Sequence, residues 1–349
     1  SFVINGVIQN YRSLKIGVVR FLNLFLKDKN GFEKSIKKEL NKITWFKGDP
    51  DTTLYLVGGS FRSLAKLHIW ATDYPLSIVH GYTIKKDEAL NVIDLASNVR
   101  SKTIKEIPDI EQERSKTIPV AGEILKFLLK KIYLKKIIFC SQGLREGFIF
   151  SLLPPEEKKV DPLIFSSKKI SKNFDNSFFD GELIFNWLQP IFQNENENFK
   201  RIRLALSHLS ELSYWQNFKD IQANYALNTV LYYPFLSITH EQRVFLAMSI
   251  YISCGGKLLN TDILKFSRLL KKDATNAARV LGQSIKLSYL VSGGLYKNLE
   301  KFRIEAKNNE IFLITPNKKI LKTSTKIQKT LKKISKLIRI KKIKVLEEK

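Results

Sequence analysis

The spacing of apolar residues divides the chain into a mixed first part and a helical second part. Phe2 and Val3, then Asn5-Gly6, then Ile8 and Leu14 read as a β-hairpin over residues 1–16, because Asn-Gly favours the two-residue turn whose twist matches antiparallel strands. Helical periodicity runs through Phe21, Leu22, Leu24 and Phe25 and resumes over 31–43; both helices are expected to pack on a sheet. Leu54 to Val57 is a run of β-formers that stops at Gly58-Gly59, after which Leu64, Leu67 and His68 fall on one helical face. The same order returns at Ile137, Ile138 and Phe139, which lead into Gly143-Leu144-Arg145-Glu146-Gly147. An amphipathic helix over 88–96 and a polar, lysine-rich loop over 102–113 separate the two.

The Pro pair and charge cluster over 152–161 mark a boundary, giving domains at 1–152 and 153–349. Past it, apolar residues recur at helical spacing over 180–192, 199–214, 222–232, 241–251, 262–270 and 274–290. A short β excursion over 310–314 and Pro316 precede a basic amphipathic helix with the stripe Ile327, Leu331, Ile334 and Ile338. The fold class is therefore α/β followed by α.

A strand that delivers a glycine turn to a helix start has a chemical use as well as a structural one. Gly58 and Gly59 open conformations closed to other residues, and the free N–H groups of a helix N-terminus attract phosphate. A tight connection that merely needs small residues explains a lone Gly-Gly equally simply. Two such units in one chain suggest a single phosphate site.

Charge sharpens that reading. The 59 Lys and Arg against 33 Asp and Glu leave a formal +26, which points to polyanions: polyphosphate, nucleotides or RNA. Thirteen basic residues against Glu347 and Glu348 over 318–349 supply +11 of it. A biased genome is another source of the lysine, isoleucine and asparagine excess. No apolar run is long enough to cross a bilayer, and residues 1–13 lack the basic start and apolar core of a signal peptide. Cys140 and Cys254 are too few for a disulfide framework or a cysteine metal cluster, so a reducing, cytoplasmic compartment is expected.

The segments VGGSFRSLAKLH (57–68), YPLSIVHGYTI (74–84), ERSKTIPVAGEIL (113–125), GLREG (143–147), DPL (161–163) and LSYLVSGG (287–294) stand in the order found in one family. Through them the chain resembles the Ppx/GppA phosphatases, the exopolyphosphatases and guanosine pentaphosphate phosphohydrolases. The resemblance implies an actin-like (ASKHA) phosphotransfer fold of which residues 1–152 form the second lobe, and a helical domain distantly like the HD phosphohydrolases. It implies Mg²⁺ as cofactor and inorganic polyphosphate or guanosine pentaphosphate as substrate, cut by water in a cleft between two lobes. Ser1 resembles the last serine of the family's glycine-rich phosphate loop. The glutamate that activates water would then lie upstream of Ser1 together with the first lobe, and the chain as given is expected to bind polyanion without hydrolysing it.

Phosphate binding is accordingly expected at Ser1, Gly58, Gly59 and Arg145. Arg145 leads, because a guanidinium offers a rigid fork of donors that keeps its charge; an ion pair with Glu146 or another surface acid is its structural alternative. Arg20, Arg62, His80 and Arg114 are expected around the cleft, with plain solvation the alternative for Arg20 and a structural role that for His80. Many relatives carry an acidic residue where this chain has Lys116, which leaves the carboxylate partner of Arg114 unassigned. In the helical part His208 and Glu211 share a helix face, too few ligands for an HD-type metal site, so none is expected there. Two other classes remain open: a non-catalytic polyphosphate or alarmone binder, and a basic RNA-binding protein using the C-terminal helix. A homodimer is compatible with the exposed amphipathic tail.

Overall fold

The computed structural model describes the chain apart from residues 46, 109, 174–179, 214–218, 258–260, 308–309, 318–323, 341–342 and 348–349. It falls into two compact units, Ser1–Leu153 and Pro154–Lys349.

In chain order the first unit contains β1 (Phe2–Ile4), β2 (Val7–Asn10), α1 (Val18–Lys27), α2 (Lys29–Leu40), β3 (Thr53–Val57), α3 (Gly59–Ala71), β4 (Tyr82–Lys85), α4 (Lys86–Asn98), α5 (Ser101–Glu106), α6 (Ile118–Lys131), β5 (Lys136–Cys140) and α7 (Leu144–Leu152). β1 and β2 form the expected hairpin, with Asn5 at φ 49° and Gly6 at φ 79° in its turn. The returning strand ends at Asn10, however, and does not run to Leu14, which packs instead with α1, α2 and α6. A core of Phe21, Phe32, Ile36, Leu40, Val120, Ile124 and Phe127 joins those helices. α1 and α2 both pack on α6; α1 also reaches the sheet's core through Val18, while among the described residues α2, against expectation, does not pack on a sheet.

The second cluster holds the sheet. β5 lies between β3, its parallel neighbour, and β4, its antiparallel one. Leu56, Ile84, Ile137 and Phe139 from the strands meet Leu64 and Leu67 of α3, Val92 and Ile93 of α4 and Leu125 of α6. The stretch 102–113 is not a loop throughout: it begins within α5 and ends in a 3-10 turn over Gln112–Lys116. Ile104, Ile107 and Ile110 anchor it, 0%, 4% and 9% exposed, because their three-residue spacing brings them to one face.

The second unit is mostly helical: α8 (Pro155–Lys158), α9 (Pro162–Lys172), α10 (Gly181–Leu188), α11 (Glu197–Leu209), α12 (Lys219–Tyr232), α13 (His240–Ser253), α14 (Thr261–Ser267) and α15 (Lys272–Ser292). Asp161 caps α9, accepting from the Leu163 and Ile164 amides, and Pro162 opens the helix where its missing N–H costs nothing. α13 and α15 cross closely at Gly282, where an added Cβ would lie 2.5 Å from the Ser249 carbonyl oxygen. The chain then forms β6 (Arg303–Lys307), β7 (Glu310–Thr315), α16 (Thr325–Leu337) and β8 (Lys344–Glu347). The β excursion at 310–314 is thus one strand of a sheet in which β7 pairs β6 antiparallel and β8 parallel. Ile327, Leu331 and Ile334 form the buried stripe of α16, while Ile338 follows the last helical residue.

Candidate functional site at the carboxyl ends of two parallel strands

β3 and β5 run in register from Thr53 opposite Lys136 to Val57 opposite Cys140, so their carboxyl ends finish side by side. Each continues through a turn into a helix, Gly58 to α3 and Ser141–Gly143 to α7. Ligands of α/β sheets characteristically bind outside such strand ends. Gly58 takes φ 122°, a region that side chains with a Cβ rarely enter, and it caps α3 without a side-chain hydrogen bond.

Side chains from three directions gather at these turns. Arg62, on the first turns of α3, reaches across with Nη1 3.5 Å from the Ser141 carbonyl oxygen. His80, just ahead of β4, accepts the Ser141 amide at Nδ1 over 3.4 Å, which leaves the proton of a neutral ring on Nε2. Ser141 is therefore held on both its N–H and C=O sides. The Glu146 carboxylate turns back to accept the Gly143 amide at 2.6 Å, closing the start of α7. That bond, with the charges of Arg145 and Arg62, holds the carboxyl below the ordinary glutamate range.

Arg114 arrives from the 3-10 turn before α6. Its Nη1 lies 3.3 Å from the point a Cβ on Gly59 would occupy, so glycine there lets the guanidinium lie against the first turn of α3. The Nε group is 3.3 Å from Glu111 Oε2. Glu111 thus supplies the carboxylate that sequence reasoning left unassigned, and exposed Lys116 takes no part in it. Arg145 is exposed at the start of α7 and donates no hydrogen bond to any described residue. Its structural alternative, an ion pair with Glu146 or another surface acid, does not form among the described residues, although the Arg145 charge helps to lower the Glu146 carboxyl.

Gly58, Gly59, Arg62, His80, Arg114 and Arg145 therefore gather around two adjacent turns. Ser1, at the exposed start of the hairpin, and Arg20, on the exposed face of α1, form no hydrogen bond or ion pair with this group among the described residues. Ser141 and Glu111 were missed: a backbone anchor leaves no signature in residue type, and Glu111 is one acid in a polar stretch.

In the second unit His208 is buried, with Nε2 3.4 Å from Glu182 Oε1, and Glu182 is also paired with Lys168 at 3.0 Å. Burial and the Lys168 charge hold His208 below the ordinary histidine range. Among the described residues no group of three or more His, Cys, Asp or Glu side chains comes together in a way that would hold a metal. No helix of the described residues is long and apolar enough to cross a membrane.

Residues 1–156 match the Ppx/GppA phosphatase family and residues 186–345 match the C-terminal domain of exopolyphosphatase. Retrograde regulation protein 2 of Saccharomyces cerevisiae is 26% identical over 159 residues, which cover 42% of this chain and 26% of that protein. The chain thus spans about a quarter of the length of this relative. With the matches to both parts taken together, the chain belongs to the Ppx/GppA phosphatase family.

Proposed function

We propose that the carboxyl ends of β3 and β5 bind the phosphate groups of inorganic polyphosphate or guanosine pentaphosphate, as the binding half of a phosphoanhydride hydrolase. The observation that carries this reading is the alignment of two strand–turn–helix units with the donors of Arg62 and Arg145 at their junction. Arg145 meets phosphate oxygens with its full fork of donors. Arg62 and the uncapped first amides of α3 add donors on the other turn. Arg114, positioned by Glu111, contributes positive charge against that helix start.

In this reading residues 1–152 are the second lobe of an actin-like fold, and the helical unit is an HD-like domain without a working metal site. Mg²⁺, which the family resemblance implies, does not fit the side chains gathered here. Arginines dominate the group, and the carboxylates beside it are engaged, Glu146 by Gly143 and Glu111 by Arg114. No step assigned to this chain runs through the ion. Catalysis of phosphoryl transfer works mainly by positioning and charge neutralisation, and those are the tasks of these residues. Activation of the attacking water falls to a glutamate that the resemblance puts ahead of Ser1.

The test is polyphosphate binding by the chain and its Arg145→Ala variant, followed by fluorescence anisotropy, with phosphate release recorded in parallel. A loss of about tenfold or more in affinity is expected from removing charge-assisted hydrogen bonds of this kind. Unchanged affinity would move the site elsewhere. Phosphate release above a no-protein blank would overturn the division of labour between binding and water activation. RNA competing on equal terms would favour the nucleic-acid reading.

A further inference from the structure

The second unit carries a basic concavity that the first-unit site does not use. It has a volume of about 450 Å³ and is lined by Lys257 after α13, Arg279 and Gln283 on α15, and Lys333 and Lys336 on α16. That is the size of a small-molecule site. No acidic side chain is among its described lining residues.

Some lysines of this chain are paired, as Lys37 with Glu33, Lys126 with Glu123, Lys135 with Asp51 and Lys344 with Glu310. Lys257, Arg279, Lys333 and Lys336 have no carboxylate partner among the described residues. Like charges converging from three elements repel one another, and a concave wall focuses their field on the space between. The opening depends on Gly255, at φ 94°, and Gly256, whose added Cβ would stand 2.3 Å from the Tyr251 ring.

A second observation points the same way. Gln283 is only 8% exposed, and its Oε1 has no hydrogen-bond partner. A buried carbonyl oxygen that accepts nothing is costly. Nε2 of the same amide is not shut away, so its N–H groups can donate to an anion in the concavity.

We propose that this concavity is a binding site for a compact small molecule bearing several phosphate groups. Compactness follows from placement: the cations close around a cavity from three elements and do not track along one line. The ligand neutralises their mutual repulsion and accepts from the Gln283 Nε2 group.

The test is calorimetric titration of the full chain with myo-inositol hexakisphosphate at physiological ionic strength, with thermal unfolding as a folding check. Saturable one-to-one binding is expected. The double variant Lys333→Ala with Lys336→Ala should weaken it about tenfold or more, while Lys34→Ala with Lys38→Ala on α2, and Arg145→Ala, leave it in place. Gln283→Leu should weaken binding yet unfold at a higher temperature without ligand, which separates ligation from a packing role. Absence of binding would overturn the proposal. So would equal weakening by the α2 control, since diffuse charge would then explain the affinity. Linear polyphosphate displacing the probe more tightly than the probe itself binds would overturn the compact class. Loss of binding in Arg145→Ala would assign the ligand to the first unit, whereas the proposed polyphosphate site stands or falls on its own titration.

Discussion

Two buried arginines of the second unit and the exposed Arg145 of the first live by opposite rules. In the second unit Arg203 is 0% exposed, donating through Nε to Glu195 at 2.8 Å and through Nη1 to the Phe185 carbonyl at 2.6 Å, with Nη2 bonded to Gln189 and Glu195. Its guanidinium also stacks 3.8 Å above the Phe185 ring. Arg243, 1% exposed, has no carboxylate partner among the described residues and donates to the carbonyls of Leu231 at 3.0 Å and Tyr233 at 2.5 Å, at the end of α12, while its Nε is left without a partner. A cation suits the negative end of a helix. Burial lowers its pKa to about 10, so it remains charged at neutral pH. Arg145 of the first unit, by contrast, donates no hydrogen bond to a described residue. A buried guanidinium must be satisfied from within, because its desolvation would otherwise cost more than folding supplies. An exposed one with its fork open keeps its donors for something outside.

If that contrast is sound, the largest effect on stability comes from Arg203→Ala. It leaves Glu195 buried without its cation and should cost about 3–5 kcal/mol, read from urea unfolding. A cost under about 1 kcal/mol would mean the pair is dispensable. Arg243→Met removes the carbonyl cage but strands no charge, so a smaller loss of about 2 kcal/mol is expected by the same measurement.

Asp161 comes next. Burial pulls its carboxyl upward, but hydrogen bonds from Arg201 and from the Ile164 and Leu163 amides outweigh it and hold the group below the ordinary aspartate range. A carboxyl with a lowered folded pKa contributes stability at neutral pH that is lost as pH falls through that value. Denaturation curves should therefore show a decline below about pH 4 that Asp161→Asn flattens, with about 1 kcal/mol at stake from the cap. An unchanged acid limb in the variant would remove Asp161 from that role.

Glu146→Gln weakens the turn at Gly143 and should lower the unfolding temperature only slightly. Arg145→Ala should leave thermal unfolding within about 0.5 kcal/mol of the parent while polyphosphate affinity falls. A destabilised Arg145→Ala would make this arginine structural and dissolve the contrast.

Much of the fold was legible because its signals are local. Gly58-Gly59 after Leu54–Val57 announced a strand-to-helix turn, and Asn5-Gly6 a hairpin, since backbone freedom and β-propensity belong to a few adjacent residues. β6 and β8 were not read. Lys344–Glu347 has little apolar content of its own and becomes a strand by pairing with β7. Ile104, Ile107 and Ile110 lay inside a stretch whose lysines suggested solvent, and only their burial against the core reveals the turns that hold them. Arg145 and Gly59 could be singled out from residue type and position. That Glu111 holds Arg114, and that Glu146 serves Gly143 and not Arg145, could not.

By itself, the sequence determined the order of elements, the two glycine turns, the boundary near Pro154-Pro155, the basic charge and the motifs of the Ppx/GppA family. Each is written in residues close together along the chain, where periodicity, turn chemistry and composition act. Tertiary structure alone decided which strand ends stand side by side, that Arg62 and His80 meet at Ser141, and that lysines of α16 face Arg279 and Gln283 of α15. Those neighbours are distant in sequence, and only the packing of the core and the register of β3 on β5 bring them together.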